Sequence, residues 1–274
     1  MNTKLKMALE KTPLFAEERQ QKILAILAEN GRVINAELVE LLGFAEPTIR
    51  RDIVDLANSG KLIRTHGGAI ALRAQIEPEL PVRISRNAQA KTAIAKACVG
   101  MIQAGDGIFL DAGSTSLRIA EILRDQLIAT SEPRNVNVLT NAVPVAQTLS
   151  EIAGIRHTVL GGTYRPTGAC FVGPLTVENL TLFKVNIAFI GVTGFTSGVF
   201  TAADLTEAQV KIAAIRGAQK VVVPMDASKV GATDFAKVCE ITEVTTIVTE
   251  KSNDYLKKIT KDSGVELLIA RSKN

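Results

Sequence analysis

The sequence predicts a two-part chain: a short N-terminal α+β region, then a longer α/β region built on a doubly wound, largely parallel sheet. Through the first 73 residues apolar side chains recur at spacings of three and four, the period of a helix. From Gly105 onward, apolar runs of four to six residues alternate with helical patterns, as they do in the strand–helix–strand crossovers of a parallel sheet. Between the two, the stretch Ala74 to Asn87 (AQIEPELPVRISRN) carries two prolines, mixed charge and no periodicity. The expected organisation is therefore a small domain over 1–73, a linker over 74–90 and a large domain over 91–274.

In the N-terminal part, Ile23, Leu24, Ile26 and Leu27 place an apolar stripe on a helix from about Ala16 to Glu29, which Asn30-Gly31 ends with a left-handed cap. Asn35 is the expected N-cap of a second helix that buries Leu38, Val39, Leu41 and Leu42 and stops at Gly43. Pro47 suits the first turn of a third helix, where a missing N–H costs nothing. Ile49, Ile53 and Leu56 form the core face of that helix, and Thr48, Arg50 and Arg51 lie opposite. After Ser59-Gly60, two short apolar stretches flank Gly67-Gly68, a pair suited to the positive φ of a tight hairpin. The order describes a winged helix-turn-helix whose third helix enters a major groove.

Charge agrees with that reading. The whole chain is only mildly basic, at net +4. Between Thr48 and Arg73, however, Arg50, Arg51, Lys61, Arg64 and Arg73 face only Asp52 and Asp55, with His66 among them. Thr48, Arg50 and Arg51 are candidates for phosphate or base contacts on double-stranded DNA, with Lys61, Arg64 and His66 flanking the groove. Asp52 is expected to be structural, restraining a neighbouring arginine.

Several classes are excluded by composition. At 274 residues, 46% hydrophobic and 22% charged, the chain buries an ordinary globular core without staples. Its longest apolar runs, Ile187 to Val192 and Val221 to Met225, fall far short of the roughly 20 residues of a membrane helix. The opening MNTKLKMALEKTPLF lacks a secretory leader, so a cytoplasmic location without membrane partners is expected. Cys98, Cys170 and Cys239 are widely spaced and form no metal or disulfide pattern; they read as core thiols.

In the C-terminal part the first strand, Gly107 to Leu110, runs into Asp111-Ala112-Gly113-Ser114-Thr115-Ser116. A loop of glycine and hydroxyl residues at a helix start presents backbone N–H and Oγ groups to a phosphate, and ligands of open α/β sheets bind beyond the carboxyl ends of strands. Thr140-Asn141, Gly161-Gly162, Gly191 to Gly194 and Asp226 to Lys229 end later strands and are expected to converge on one pocket. Lys229 or Arg165 would neutralise phosphate charge there. His157 reads as a core or edge residue.

Arg19, Ile23, Leu27, the block Thr48-Ile49-Arg50-Arg51-Asp52-Ile53 and Thr65-His66-Gly67-Gly68-Ala69 stand in the register of the DeoR family of bacterial transcriptional regulators, which this sequence resembles. Ala45 and Pro47 depart from it, since the family commonly has a serine and no proline there. The resemblance continues through Asp111, Gly113, Ser114, Thr115 and Ser116, Thr140-Asn141, Gly161-Gly162 with Arg165, Phe171 to Pro174, Glu207 to Lys211, and Asp226 with Ser228-Lys229. Asn186 stands where the family usually has aspartate, and Gly194 to Gly198 replaces a more usual Gly-Ile/Val-Asp. The resemblance implies a sensor domain related in fold to ribose-phosphate isomerases. Its effector would be a phosphorylated sugar or related metabolite held by Asp111, Gly113, Ser114, Thr115, Ser116, Thr140, Asn141, Gly162, Arg165, Asp204, Glu207, Lys211, Asp226 and Lys229.

The expected function is a repressor of a sugar-catabolic operon, released from its operator by that effector and acting as a dimer or tetramer, with no catalytic residue, metal or cofactor. Two alternatives stand beside it. One is a sugar-phosphate isomerase, for which Asp111, Asp204, Glu207, Asp226 and Lys229 would supply carboxylates and an amine. The other is a DNA-binding protein whose second domain only oligomerises.

Overall fold

A computed structural model describes residues 16–30, 32–65, 67–71, 77–130, 135–150 and 152–271. The chain divides into two compact units, Met1–Ile76 and Glu77–Asn274.

The first unit runs α1 (Ala16–Asn30), β1 (Arg32–Ile34), α2 (Asn35–Leu42), α3 (Glu46–Asn58), β2 (Leu62–Thr65) and β3 (Gly68–Ala71). Its core gathers Ile23, Leu27, Val33, Leu38, Ile49, Ile53, Leu56, Leu62 and Ala69, with Leu24, Ile26, Val39 and Leu42 partly buried against it, whereas Leu41, expected on the buried face of α2, is 69% exposed. Gly43 closes α2 in the left-handed region at φ 72°, its N–H donating to the Val39 carbonyl. At the start of α3, Ala45 offers no side-chain cap, but Pro47 sits in the first turn with its φ already set and Glu46 brings negative charge to the helix N-terminus.

Two local expectations are corrected. Asn35 is not an N-cap but the first residue of α2; Ile34 occupies the cap position, and Asn35 Oδ1 is buried without a hydrogen bond. Gly68 is needed for close approach rather than for a positive φ. β1 adds to the hairpin in the strand order β1-β3-β2, with Ile34 opposite Gly68, and a Cβ on Gly68 would meet the Val33 carbonyl oxygen at 1.9 Å. The three residues of β1 are too few to show a strand period in the sequence.

Residues 77–90, expected within the linker, are ordered parts of the second unit. α4 (Leu80–Ser85) is followed by α5 (Ala88–Val99). Pro81, one of the two prolines that mark this stretch in the sequence, lies in the first turn of α4, where proline is tolerated.

The unit continues with β4 (Gly107–Leu110), α6 (Ser114–Thr130), β5 (Val136–Thr140), α7 (Val143–Leu149), β6 (Ile155–Val159), β7 (Thr163–Arg165), β8 (Cys170–Val172), α8 (Pro174–Leu180) and β9 (Val185–Phe189). After these come β10 (Gly194–Thr196), β11 (Val199–Ala202), α9 (Leu205–Arg216), β12 (Ala218–Pro224), a 3₁₀ turn at Ala227–Lys229, β13 (Ala236–Glu240), β14 (Thr246–Thr249), α10 (Asp254–Ser263) and β15 (Glu266–Ile269).

Among the described residues the main sheet has seven strands in the order β15-β14-β12-β9-β4-β5-β6, every pairing parallel. From β4 the chain winds outward through β5 and β6, then returns to the other side of β4 as β9 and winds away. The direction of winding therefore reverses between β4 and β9. These central strands are buried over most of their length, with Ile108, Phe109, Leu110, Ala188 and Phe189 wholly removed from solvent. Phe109 and Phe189 each contribute about 1.5–3 kcal/mol by leaving water. Two small antiparallel elements, β7-β8 and β10-β11-β13, lie outside this sheet. The β10-β11 turn places Ser197 and Gly198 at φ 49° and 79°, the two positive values a two-residue hairpin of this hand requires.

Candidate functional site

The first candidate surface lies on the N-terminal unit. Arg50, Arg51, Lys61 and Arg64 are exposed and Thr48 is half-buried; His66 lies outside the described residues. Arg50 on α3 and Arg64 on β2 line one cleft with Asn35, Ile53, Thr65 and Gly68, so the helix and the hairpin contribute cations to the same place. Arg50 is tethered to Glu46 one turn back, at 2.8 Å. Exposed i,i+4 pairs of this kind are worth only about 0.3–0.5 kcal/mol, so a stronger anion would readily claim the arginine.

Asp52 pairs not with the arginines beside it but with Arg19 of α1, 33 residues away. Arg19 is held by Asp52 through both Nε and Nη2 and lies 4.8 Å from the centre of the Phe44 ring. The pair is buried, and Asp52 raises the pKa of the guanidinium, chiefly by the side-chain hydrogen bond. It fixes α1 against α3 and leaves Arg50 and Arg51 on the outer face.

The second candidate site lies at the carboxyl ends of β4 and β9, where the winding reverses and open α/β sheets form their ligand crevice. Asp111 follows β4 directly and is 1% exposed. Its Oδ1 accepts the Ala112 N–H at 2.8 Å. Its Oδ2 accepts the Gly191 N–H beyond β9 at 2.9 Å and the Lys211 ammonium of α9 at 2.6 Å. Burial alone would lower the Lys211 pKa, but Asp111 and then Glu207 outweigh it, and Lys211 is held as a cation. Gly113, at φ 135°, opens into α6, whose first residues are Ser114, Thr115 and Ser116. A 17-residue helix thus aims its N-terminal N–H groups at this edge. Ser116 Oγ is buried there with no hydrogen-bond partner.

The remaining sequence-marked residues divide into two groups. Thr140 Oγ1 donates to the Leu110 carbonyl at 2.7 Å and accepts from Ala142, which uses its hydroxyl internally. Gly162 is a packing residue, since a Cβ there would meet Thr176 Oγ1 at 2.0 Å. Asn141 fixes its amide on the Phe171 carbonyl at 2.9 Å, while its Oδ1 is buried without a partner. Asp204 caps α9 by accepting the Glu207 N–H at 2.9 Å.

Arg165 joins three carboxylates: Nη1 is 2.9 Å from Glu207, Nη2 is 2.9 Å from Glu77 and Nε is 3.3 Å from Asp204. Asp226 accepts from the Ser228 N–H and from Asn87 Nδ2. Burial opposes its ionisation, but Lys229, Ser228 and Lys91 hold its pKa below the ordinary value. Asn186, the departure from the family pattern, lies at the opposite end of the sheet, where Oδ1 accepts the Gly107 N–H at 2.8 Å.

Glu77, Arg83 and Asn87 of the expected linker, and Lys91 just beyond it, enter this constellation. Besides Arg165, Glu77 meets Arg83 at 2.5 Å, and its pKa is raised by burial and then by Glu207, against the pull of both arginines. Lys91, 6% exposed, donates to the carbonyls of Arg83 and Arg86. Burial lowers the Lys91 pKa to about 8, with Asp226 opposing and Lys229 adding to the effect. The sequence signal for this segment was Pro81 in a helix-starting position, masked by the short length of α4.

The three cysteines are buried, and burial pushes the Cys170 and Cys239 thiols up to about 12. No helix of the described residues is long and apolar enough to cross a membrane.

Comparison with known proteins places these features in a context. The chain matches the model of a DeoR-like helix-turn-helix domain over residues 19–75 and that of the DeoR C terminal sensor domain over residues 86–251. It is 30% identical over 259 residues to the HTH-type transcriptional repressor GlcR of Bacillus subtilis, covering 93% of this chain and 97% of that protein. It is 29% identical over 255 residues to a lactose phosphotransferase system repressor of Staphylococcus epidermidis, covering 92% and 98%. Among solved structures it is similar to ribose 5-phosphate isomerase A of Methanocaldococcus jannaschii at 21% identity and a TM-score of 0.38, over 53% of this chain and 55% of that one. With the helix-turn-helix and the sensor domain both matched in chain order, and full-length repressors among its relatives, the chain belongs to the DeoR family.

Proposed function

We propose that the protein is a transcriptional repressor that binds operator DNA through α3 and the β2-β3 hairpin and is controlled by a phosphorylated sugar, or a related phosphometabolite, at the carboxyl edge of its large sheet. The N-terminal reading rests on the exposed cations of α3 and β2 around one cleft and on the repressor names of its relatives. Thr48, Arg50, Arg51, Lys61, Arg64 and His66 are the proposed DNA contacts.

One observation carries the effector reading. At the carboxyl ends of the central strands, Ser116 Oγ in the first turn of α6 and Asn141 Oδ1 directly after β5 are buried with no hydrogen bond. An unmet buried polar atom costs about 1–3 kcal/mol, and a ligand offering both donors and acceptors removes that cost. Phosphate oxygens suit the N–H groups and the hydroxyls of Ser114, Thr115 and Ser116, and sugar hydroxyls suit Asn141. Arg165, Lys211 and Lys229 supply positive charge around them.

The same geometry favours a sensor over an isomerase. Of the groups an isomerase could use, Asp111 is held by Lys211 and two backbone N–H groups, Asp204 caps α9 and Glu207 is paired with Arg165, so these carboxylates serve the framework. Regulation follows from linkage: an effector that favours an arrangement unable to hold DNA lowers operator affinity by the factor by which DNA lowers effector affinity. Two recognition helices are needed for two half-sites, so the acting species is a dimer or tetramer.

The experiment is a thermal-shift panel of sugar phosphates paired with their unphosphorylated sugars, on the wild type and on Ser116→Ala. A stabilisation confined to a phosphorylated compound and lost in Ser116→Ala supports the reading. A response to the unphosphorylated sugar, or an unchanged response in the variant, moves the site elsewhere.

A further inference from the structure

Residues 76–85 fall between the two family matches, and Glu77 and Arg83 in that gap form contacts that neither domain accounts for. Glu77 begins the larger unit, immediately after the point where the chain divides. From there to Lys91 the chain is tied to the carboxyl edge of the sheet. Glu77 is on Arg165, the Leu80 N–H and Arg83 Nη2 both donate to the Thr167 carbonyl, and Asn87 is on Asp226. This stretch is a strap over the proposed effector site, continuous with the chain leading to the DNA-binding unit.

Arg165 is the shared member. Three of its five N–H groups face carboxylates, so a phosphate that approaches the guanidinium competes with three anions already in place. Two are anchored elsewhere: Asp204 caps α9 through the Glu207 N–H and Thr206, and Glu207 also approaches Lys211. Glu77, its oxygens buried, meets only Arg83 and Arg165 among the described residues. Charge points the same way. Glu77, Asp111, Asp204 and Glu207 crowd around Arg83, Arg165 and Lys211, and the loss of one carboxylate makes room for an incoming anion.

We propose that Glu77 is an internal competitor for Arg165: the phosphate of the effector takes its place on that guanidinium, and the strap lets go at its first residue. The inference rests on the effector reading above and adds the route by which occupancy reaches the other unit. With Glu77 released, the next main-chain anchor is Leu80, so the stretch joining the units gains three residues, about 10 Å of reach. Two DNA-binding units on longer tethers hold a fixed half-site spacing less well.

Inorganic phosphate is the probe. Its affinity is measured by calorimetric titration on the full chain for wild type, Glu77→Gln, Ser116→Ala and the double variant. Removing the competitor is expected to tighten phosphate binding about tenfold or more in Glu77→Gln. An unchanged affinity there, with Ser116→Ala still weakening it, overturns the competition and leaves the loop reading standing. Tightening in Glu77→Gln with no effect of Ser116→Ala keeps the competition and removes the loop. Should Glu77→Gln not fold, hydrogen exchange on the wild type decides. Phosphate, against chloride at equal ionic strength, should speed exchange of the Glu77 and Glu79 amides, ahead of the Leu80 anchor, and unchanged or slower exchange there overturns the proposal.

Discussion

Lys211 Nζ lies 2.6 Å from Asp111 Oδ2, with side chains 3% and 1% exposed, and this pair bolts α9 to the end of β4 at the point where the sheet reverses its winding. The Gly191 N–H on the same carboxylate adds the end of β9, so one buried charge pair fixes three segments around the proposed site. Removing the ammonium leaves a buried carboxylate without its counter-charge. Lys211→Met is therefore expected to lower unfolding stability by about 3–5 kcal/mol, and Lys211→Met with Asp111→Asn to recover part of it. Urea denaturation of the three proteins checks this; a double variant no more stable than the single one would show that the two groups are not coupled.

Lys91 gives the chain a pH dependence of definite sign. Its folded pKa, about 8, lies below the ordinary lysine value because burial disfavours the ammonium. Between pH 8 and roughly 10.5 the unfolded chain binds more protons at this position than the folded one, so stability rises with pH across that window. Below pH 8 both states are protonated and the full penalty of burying the charge is present. Thermal melts of wild type and Lys91→Met from pH 7 to 10 should show the wild type gaining on the variant above pH 8. Parallel curves would mean that Lys91 keeps its ordinary pKa.

The proposed DNA surface predicts a salt signature. Arg51 and Lys61 are exposed, so as phosphate contacts each releases about one counterion on binding. Arg51→Ala and Lys61→Ala should each flatten the slope of log affinity against log salt by about 1, read by fluorescence anisotropy on a duplex. Glu46→Gln, by freeing Arg50, should strengthen binding slightly. Slopes that stay at the wild-type value would place the interface elsewhere.

Gly68→Ala tests the packing of β1 against the hairpin. The new methyl carbon would sit 1.9 Å from the Val33 carbonyl oxygen, a backbone atom that yields only if β1 separates from β3. A loss of about 1–3 kcal/mol or more is expected, confined to the N-terminal unit. Calorimetry should show its transition moving down while that of the larger unit stays in place; an unaltered first transition would mean that the two strands part at little cost.

Much of this was legible in the linear chain because the signals are local. The stripes of α1, α2 and α3 are periodicities, Gly43 is a stop written in one residue, and Asp111 to Ser116 is a contiguous strand-to-helix junction. Asp52 was recognised as structural, but its partner was not. Arg19 is 33 residues away, and only the crossing of α1 and α3 makes them neighbours.

The segment Glu77 to Lys91 marks the boundary. Read linearly it is two prolines among mixed charges; folded, its Glu77, Asn87 and Lys91 meet Arg165, Asp226 and the end of α4. Likewise Gly68 looks like a turn residue until β1 is seen against it. Local spacing by itself determined the fold class, most of the helix faces and the glycine-hydroxyl junction from Asp111 to Ser116, since these follow from backbone geometry and the burial of apolar side chains. Which charges pair in the interior was decided only by the tertiary structure. The ion-paired residues 77, 111, 165, 207 and 211 come from four separate segments, and the sheet order that brings them together is nowhere written as a spacing.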